Sequence, residues 1–153
     1  MERKLRVLFF STGSAVRSQM AEGFLRRIAG GQLEAKCTAV QPESNPLAAE
    51  VMKEVGIDIS EDQPKDIKQL FQEYFAFVVT LSDDSKERSP VWPFTRNLFH
   101  WSHVDPAAIE GPPEQRREVF RRVRDEIQRN VREFAARVAP MLQGQGRAAA
   151  VGR

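Results

Sequence analysis

The chain has 153 residues, 41% of them hydrophobic, with Lys+Arg 23, Asp+Glu 21 and a formal net charge of +2. That length suits one compact domain with its own core and is too short for two. A charge this small requires neither nucleic acid nor an anionic membrane as partner, and the one cysteine excludes an internal disulfide, a CxxC pair and a cysteine-based zinc site.

Val7-Leu8-Phe9-Phe10 is a continuous apolar run and predicts a buried parallel strand, followed by a helix over Gln19 to Arg27. Ala35 to Val40 predicts a second strand that carries Cys37, either as a small buried hydrophobe or, alternatively, as a reactive thiol. Asn45-Pro46 is a helix start, with Ala48, Val51, Met52 and Val55 at helical spacing until Gly56 stops it. A shorter helix is predicted from near Pro64 through Ile67, Leu70 and Phe71. Phe75 to Thr80 is apolar throughout and suits a central strand covered on both faces, and Arg96 to Trp101 gives a fourth.

A loop with Asp105-Pro106 and Pro112-Pro113 precedes the last helix. That helix sets Val119, Phe120, Val123, Ile127, Val131, Phe134 and Val138 on one stripe, which must lie against the sheet. Its other face interleaves Arg116, Arg117, Arg121, Arg122, Arg124, Arg129 and Arg132 with Glu118, Asp125, Glu126 and Glu133, read either as a solvated mixed-charge face or as a binding surface. Residues 1–140 are expected to form a single domain and 141–153 a flexible tail. Strand alternating with helix predicts an α/β three-layer sandwich with a four-stranded parallel sheet and the ligand loop at the carboxyl end of the first strand. The N-terminal apolar run is strand-sized, and no segment is long and apolar enough to span a membrane, so a cytoplasmic location is the expectation.

The informative segment is Ser11-Thr12-Gly13-Ser14-Ala15-Val16-Arg17-Ser18, between the first strand and its helix. Gly13 permits close backbone approach, free N–H groups at the helix N-terminus attract negative charge, and Arg17 can grip two oxygens at once. This segment resembles the anion-binding loop of the low-molecular-weight protein tyrosine phosphatases and of their offshoot, the thioredoxin-coupled arsenate reductases. That loop runs cysteine, five residues, arginine, serine.

The resemblance covers roughly residues 5 to 138. It also takes in Gln19-Met20-Ala21-Glu22-Gly23, Asn45-Pro46-Leu47-Ala48, Val55 to Ser60, Val78 to Pro90 and Asp105-Pro106-Ala107. The reductase branch is the nearer, because it places redox cysteines where this chain has Ser82 and Ser89, the latter followed by Pro90.

The resemblance implies a low-molecular-weight phosphatase-like fold, an oxyanion seat over residues 11 to 18 for phosphate, sulfate or arsenate, Asp105 as general acid, and no organic cofactor or metal. It also implies a catalytic set of Ser11, Arg17 and Asp105 in which the nucleophile is the wrong element. A thiol with a reference pKa of about 8.5 can be drawn below neutrality by nearby dipoles and cations, whereas a serine hydroxyl starts far more basic and needs a base within hydrogen-bond reach. His100 and His103 are not placed there by the motif and read as ordinary strand or loop histidines.

Arsenate reduction needs two electrons from thiols, and alcohols at Ser11, Ser82 and Ser89 cannot supply them, so coupling to thioredoxin is not expected. Where the family usually has Asn, Ser and Cys the chain has Ser14, Ala15 and Val16. This points to natural drift, with an engineered cysteine-to-serine change at Ser11 alone as the alternative.

The leading expectation is therefore a catalytically silent protein that binds a small oxyanion or phosphorylated ligand. The alternatives are a working phosphatase or arsenate reductase using Ser11 or Cys37, and an interaction module using the arginine-rich helix or the Trp92 and Phe94 loop.

Overall fold

The computed structural model describes residues 4–43, 45–60, 64, 67–70, 72–83 and 97–150, with side chains through Leu142. Its elements in chain order are β1 (Leu5–Ser14), α1 (Val16–Ala29), β2 (Leu33–Gln41), α2 (Pro46–Glu54), α3 (Ile67–Leu70), β3 (Phe77–Ser82), β4 (Leu98–Ser102), a 3₁₀ turn (Pro106–Ala108) and α4 (Pro113–Ala150). The strands form one four-stranded sheet in the order β2-β1-β3-β4, and every pairing is parallel.

Parallel strands need crossovers that cover both faces, which is why β1 and β3 are apolar without alternation. Val7 and Phe9 of β1 and Phe77, Val79 and Leu81 of β3 join the main core with Met20 and Phe24 of α1, Val51 and Met52 of α2, and Phe120, Ile127 and Phe134 of α4. Leu8, Phe10 and Val78 turn the other way and pack with Leu70 of α3 and with Phe75. The result is the expected three-layer α/β sandwich. The strand order reverses between β1 and β3, so the crevice outside their carboxyl ends is the natural ligand position.

Local chemistry explains the element ends. Asn45 caps α2, its side chain accepting from the Leu47 amide at 2.9 Å, and Pro46 occupies the first turn, where its missing N–H costs nothing. At the other end Gly56 has φ +82°. Its N–H reaches the Lys53 carbonyl at 2.9 Å and the Ile57 N–H reaches Met52 at 3.0 Å, a closing pair that needs the left-handed backbone glycine tolerates.

Several expected bounds shift. β1 runs on to Ser14 and α1 begins at Val16, so most of the expected loop lies inside regular elements. Ser11 still pairs with Ala39 and Leu81, and the register against β2 then slips between Ser11 and Ser14, as a bulge in the Thr12-Gly13 stretch would produce. α4 runs from Pro113 through Pro140 to Ala150. Phe71, Ser89, Pro90, Trp92 and Phe94 lie outside the described residues.

Candidate oxyanion site

Ser11 ends the inward alternation of β1 and is fully buried. Its Oγ accepts the Ser18 N–H at 2.9 Å. α1 has Ala15 at its N-cap position, with no side-chain cap of its own, so the hydroxyl of Ser11 takes over one of the donors a helix start leaves open. The Ser18 hydroxyl in turn donates to the Ala15 carbonyl at 3.1 Å. Thr12 Oγ1 is buried with no hydrogen-bond partner among the described residues. Gly13 does not need positive φ, which among the described residues occurs at Gly56 and Gly111.

Among the described residues Arg17 is the largest fully buried side chain. Its Nη1 donates to the His103 carbonyl at 3.0 Å and its Nη2 lies 3.4 Å from Asp105 Oδ2. Asp105 leads into the 3₁₀ turn and caps it, Oδ1 accepting from the Ala107 amide at 3.1 Å. The same carboxylate accepts the Ser14 N–H at 2.9 Å and the Ser14 hydroxyl at 2.7 Å. Two hydrogen-bonded groups thus flank the start of α1, Ser11 with Ser18 and the Ala15 carbonyl, and Ser14 with Asp105 and Arg17.

Ser82 lies one residue beyond Leu81, the register partner of Ser11. It faces the other side of the sheet, where its Oγ is 3.3 Å from His100 Nε2 while His100 Nδ1 is 2.7 Å from Thr80 Oγ1. Cys37 pairs with Phe9 in register and packs in the main core at 1% exposure.

The histidine reading missed a connection. His103 is nearly buried, its Nε2 lying 2.6 Å from Asn130 Oδ1 and its Nδ1 3.2 Å from Glu126 Oε1, so α4 holds the residue whose carbonyl anchors Arg17. A signal for it exists in the sequence. Asn130 interrupts the apolar stripe between Ile127 and Phe134 at helical spacing, and a polar side chain there needs a partner.

The arginine-rich face of α4 is partly internal. Arg117 pairs with Glu50 at 2.8 Å, and Arg121 grips Glu54 at 2.7 Å while also meeting Glu118. Arg124, mostly buried, reaches Glu54 Oε1 at 2.8 Å and the Val51 carbonyl at 2.9 Å. Hydrogen bonding from Arg121, helped by Arg124 and opposed by desolvation, brings the Glu54 carboxyl from 4.5 down to about 2. These contacts fasten α4 to the end of α2.

A buried arginine beside a helix N-terminus, at the crevice of a 2-1-3-4 parallel sheet, frames the comparison with known proteins. The family model for low molecular weight phosphotyrosine protein phosphatase matches residues 6–143. The chain belongs to this phosphatase family. Within it, an arsenate reductase of Shouchella clausii is 40% identical over 137 residues, covering 88% of this chain and 97% of the relative. An arsenate reductase of Halalkalibacterium halodurans is 38% identical over 136 residues, with the same coverage of each. A solved structure described as an arsenate reductase in the phosphate binding state superposes with TM-score 0.70 at 28% identity, covering 88% of this chain and 99% of the other. This phosphatase-family chain carries serine at the nucleophile position, and its one cysteine lies outside the anion turn.

Proposed function

We propose that the chain binds a tetrahedral oxyanion, free or as part of a phosphorylated ligand, at residues 11 to 18, and does not turn it over by the thiolate route. The observation that carries the reading is the state of Ser11, a neutral hydroxyl occupied in accepting the Ser18 N–H at 2.9 Å. A serine nucleophile needs a base, and among the described residues the three candidates are engaged elsewhere: His103 with Asn130 and Glu126, His100 with Thr80 and Ser82, Asp105 with Ser14 and Ala107. The buried Arg17 and the start of α1 favour an anion at the turn, and the phosphate binding state of a structural relative agrees with this. The burial of Cys37 in the core weighs against a substitute thiol route.

The test is thermal unfolding against phosphate concentration. At tenfold excess over Kd, binding adds about 1.4 kcal/mol, or about 3–6 °C for a domain of this size. Arg17→Met should abolish the rise while leaving a cooperative transition. No shift at millimolar phosphate, or one that survives Arg17→Met, would sink the reading. Aryl-phosphate hydrolysis lost on Ser11→Ala would show the turnover that the reading denies.

A further inference from the structure

We propose that Asn130 of α4 is a positioning residue for the anion turn, setting its oxyanion affinity by steadying the Arg17 guanidinium through His103. This rests on the oxyanion reading above and concerns the same turn. A guanidinium grips an anion through a planar fork, so its strength as a donor depends on how firmly the fork is aimed. Arg17 Nη1 donates to the His103 carbonyl at 3.0 Å, a closer hold than the 3.4 Å between Nη2 and Asp105 Oδ2. His103 stands one residue past the end of β4, before the 3₁₀ turn. Its N–H donates to the Ser82 carbonyl at 2.9 Å and its ring is tied to α4, so the carbonyl that meets Arg17 belongs to a residue held from two sides.

The two ring contacts are unequal. Nε2 lies 2.6 Å from Asn130 Oδ1, whereas Nδ1 lies 3.2 Å from Glu126 Oε1. The Glu126 side chain is 42% exposed against 8% for His103, so water competes for the carboxylate and the asparagine is the firmer hold. Asn130 also lines a small cleft with Phe99, Trp101, Glu133, Phe134 and Arg137. Leucine at this position has the shape of asparagine and rests against aromatic rings, which offsets part of the cost of orphaning the His103 nitrogen. Fold stability and anion affinity therefore part company at residue 130. Hydrogen bonds weaken steeply with misalignment, and a displacement of about 1 Å at a binding group is felt in full by the ligand it meets.

The experiment is calorimetric titration of the whole chain with inorganic phosphate at one pH and ionic strength, together with nitrogen NMR of the Arg17 guanidinium, assigned by its loss in Arg17→Met. Asn130→Leu should weaken phosphate binding about fivefold or more, the scale of one impaired hydrogen bond to a charged group, and broaden the Arg17 signals as rotation of the fork is freed. His103→Ala, which keeps the carbonyl and deletes the ring, should act in the same direction and serves if the leucine variant does not fold. Glu126→Gln should change binding by less than about twofold, since its shape and hydrogen-bonding reach remain. Glu54→Gln loosens α4 against α2 without touching His103, and should lower the unfolding midpoint while leaving phosphate affinity alone. Unchanged affinity in a folded Asn130→Leu overturns the proposal. So does a loss that Glu54→Gln matches, or one that leaves the Arg17 signals as sharp as in the wild type. A wild-type chain that binds no phosphate fails the oxyanion reading instead, and the Arg17 signals then decide alone: broadening in Asn130→Leu supports the positioning role and unchanged signals overturn it.

Discussion

Glu54→Gln tests whether the ion cluster between α2 and α4 contributes to stability, because glutamine has the shape of a protonated glutamate and cannot ionise. In the folded chain the Glu54 carboxyl titrates at about 2, against 4.5 ordinarily, chiefly through the Arg121 guanidinium and secondarily Arg124. At about 1.36 kcal/mol per decade of proton affinity this is worth at most about 3.4 kcal/mol. The Glu54 side chain is 35% exposed and Arg121 31%, so solvent screening brings the expected contribution to about 1–2 kcal/mol.

A lowered folded pKa stabilises above the unfolded value and is lost as pH falls toward the folded one. The wild-type advantage should thus be complete above about pH 5.5, shrink below 4.5 and vanish near 2. Urea unfolding of both proteins at steps from pH 7 to pH 2 measures it. Asp58, whose carboxyl is lowered by the Ser60 hydroxyl and amide, is common to both and drops out of the difference. A gap that stays constant down to pH 3, or one below about 0.3 kcal/mol at pH 7, would refute the cluster as a source of stability.

Phe134 meets Phe77 and Phe99 edge-on at 5.6 and 5.2 Å and Trp101 at 6.1 Å, so Phe134→Ala should cost about 3–5 kcal/mol in urea unfolding and alter the Trp101 emission. Ser11→Ala should cost about 1–3 kcal/mol by orphaning the buried Ser18 N–H, and an unchanged midpoint would show that the hydroxyl is not the acceptor that matters. Gly56→Ala, at φ +82° with the Arg27 guanidinium 3.3 Å from the added carbon, should lower stability by about 1–2 kcal/mol as read from the unfolding midpoint.

The layers were legible because their causes are local. Continuous apolar runs such as Val7 to Phe10 announce strands buried on both faces, and Asn45-Pro46 with Gly56 brackets α2 through caps a few residues long. The reach of β1 to Ser14 was not legible, since Ser11 to Ser14 is polar and glycine-bearing and extends only because Ala39 and Leu81 lie alongside. Arg17 and Asp105 were recognisable as site residues by resemblance. Their mutual arrangement was not, because the Ser14 to Asp105 bonds join positions 91 apart in sequence. The Arg-rich face of α4 misled in part: charge interleaving looks the same in sequence whether the partner is water or, as for Arg124, the end of another helix.

The support that Asn130 and Glu126 give His103 has a consequence for anyone wishing to move this anion turn into another scaffold. Copying residues 11 to 18 would transplant the donors and leave behind the strut that keeps the guanidinium pointed, since that strut is rooted in a helix more than a hundred positions downstream. A working graft has to carry the 103–105 segment and a helix offering an amide and a carboxylate one turn apart. The portable unit is thus close to the whole domain.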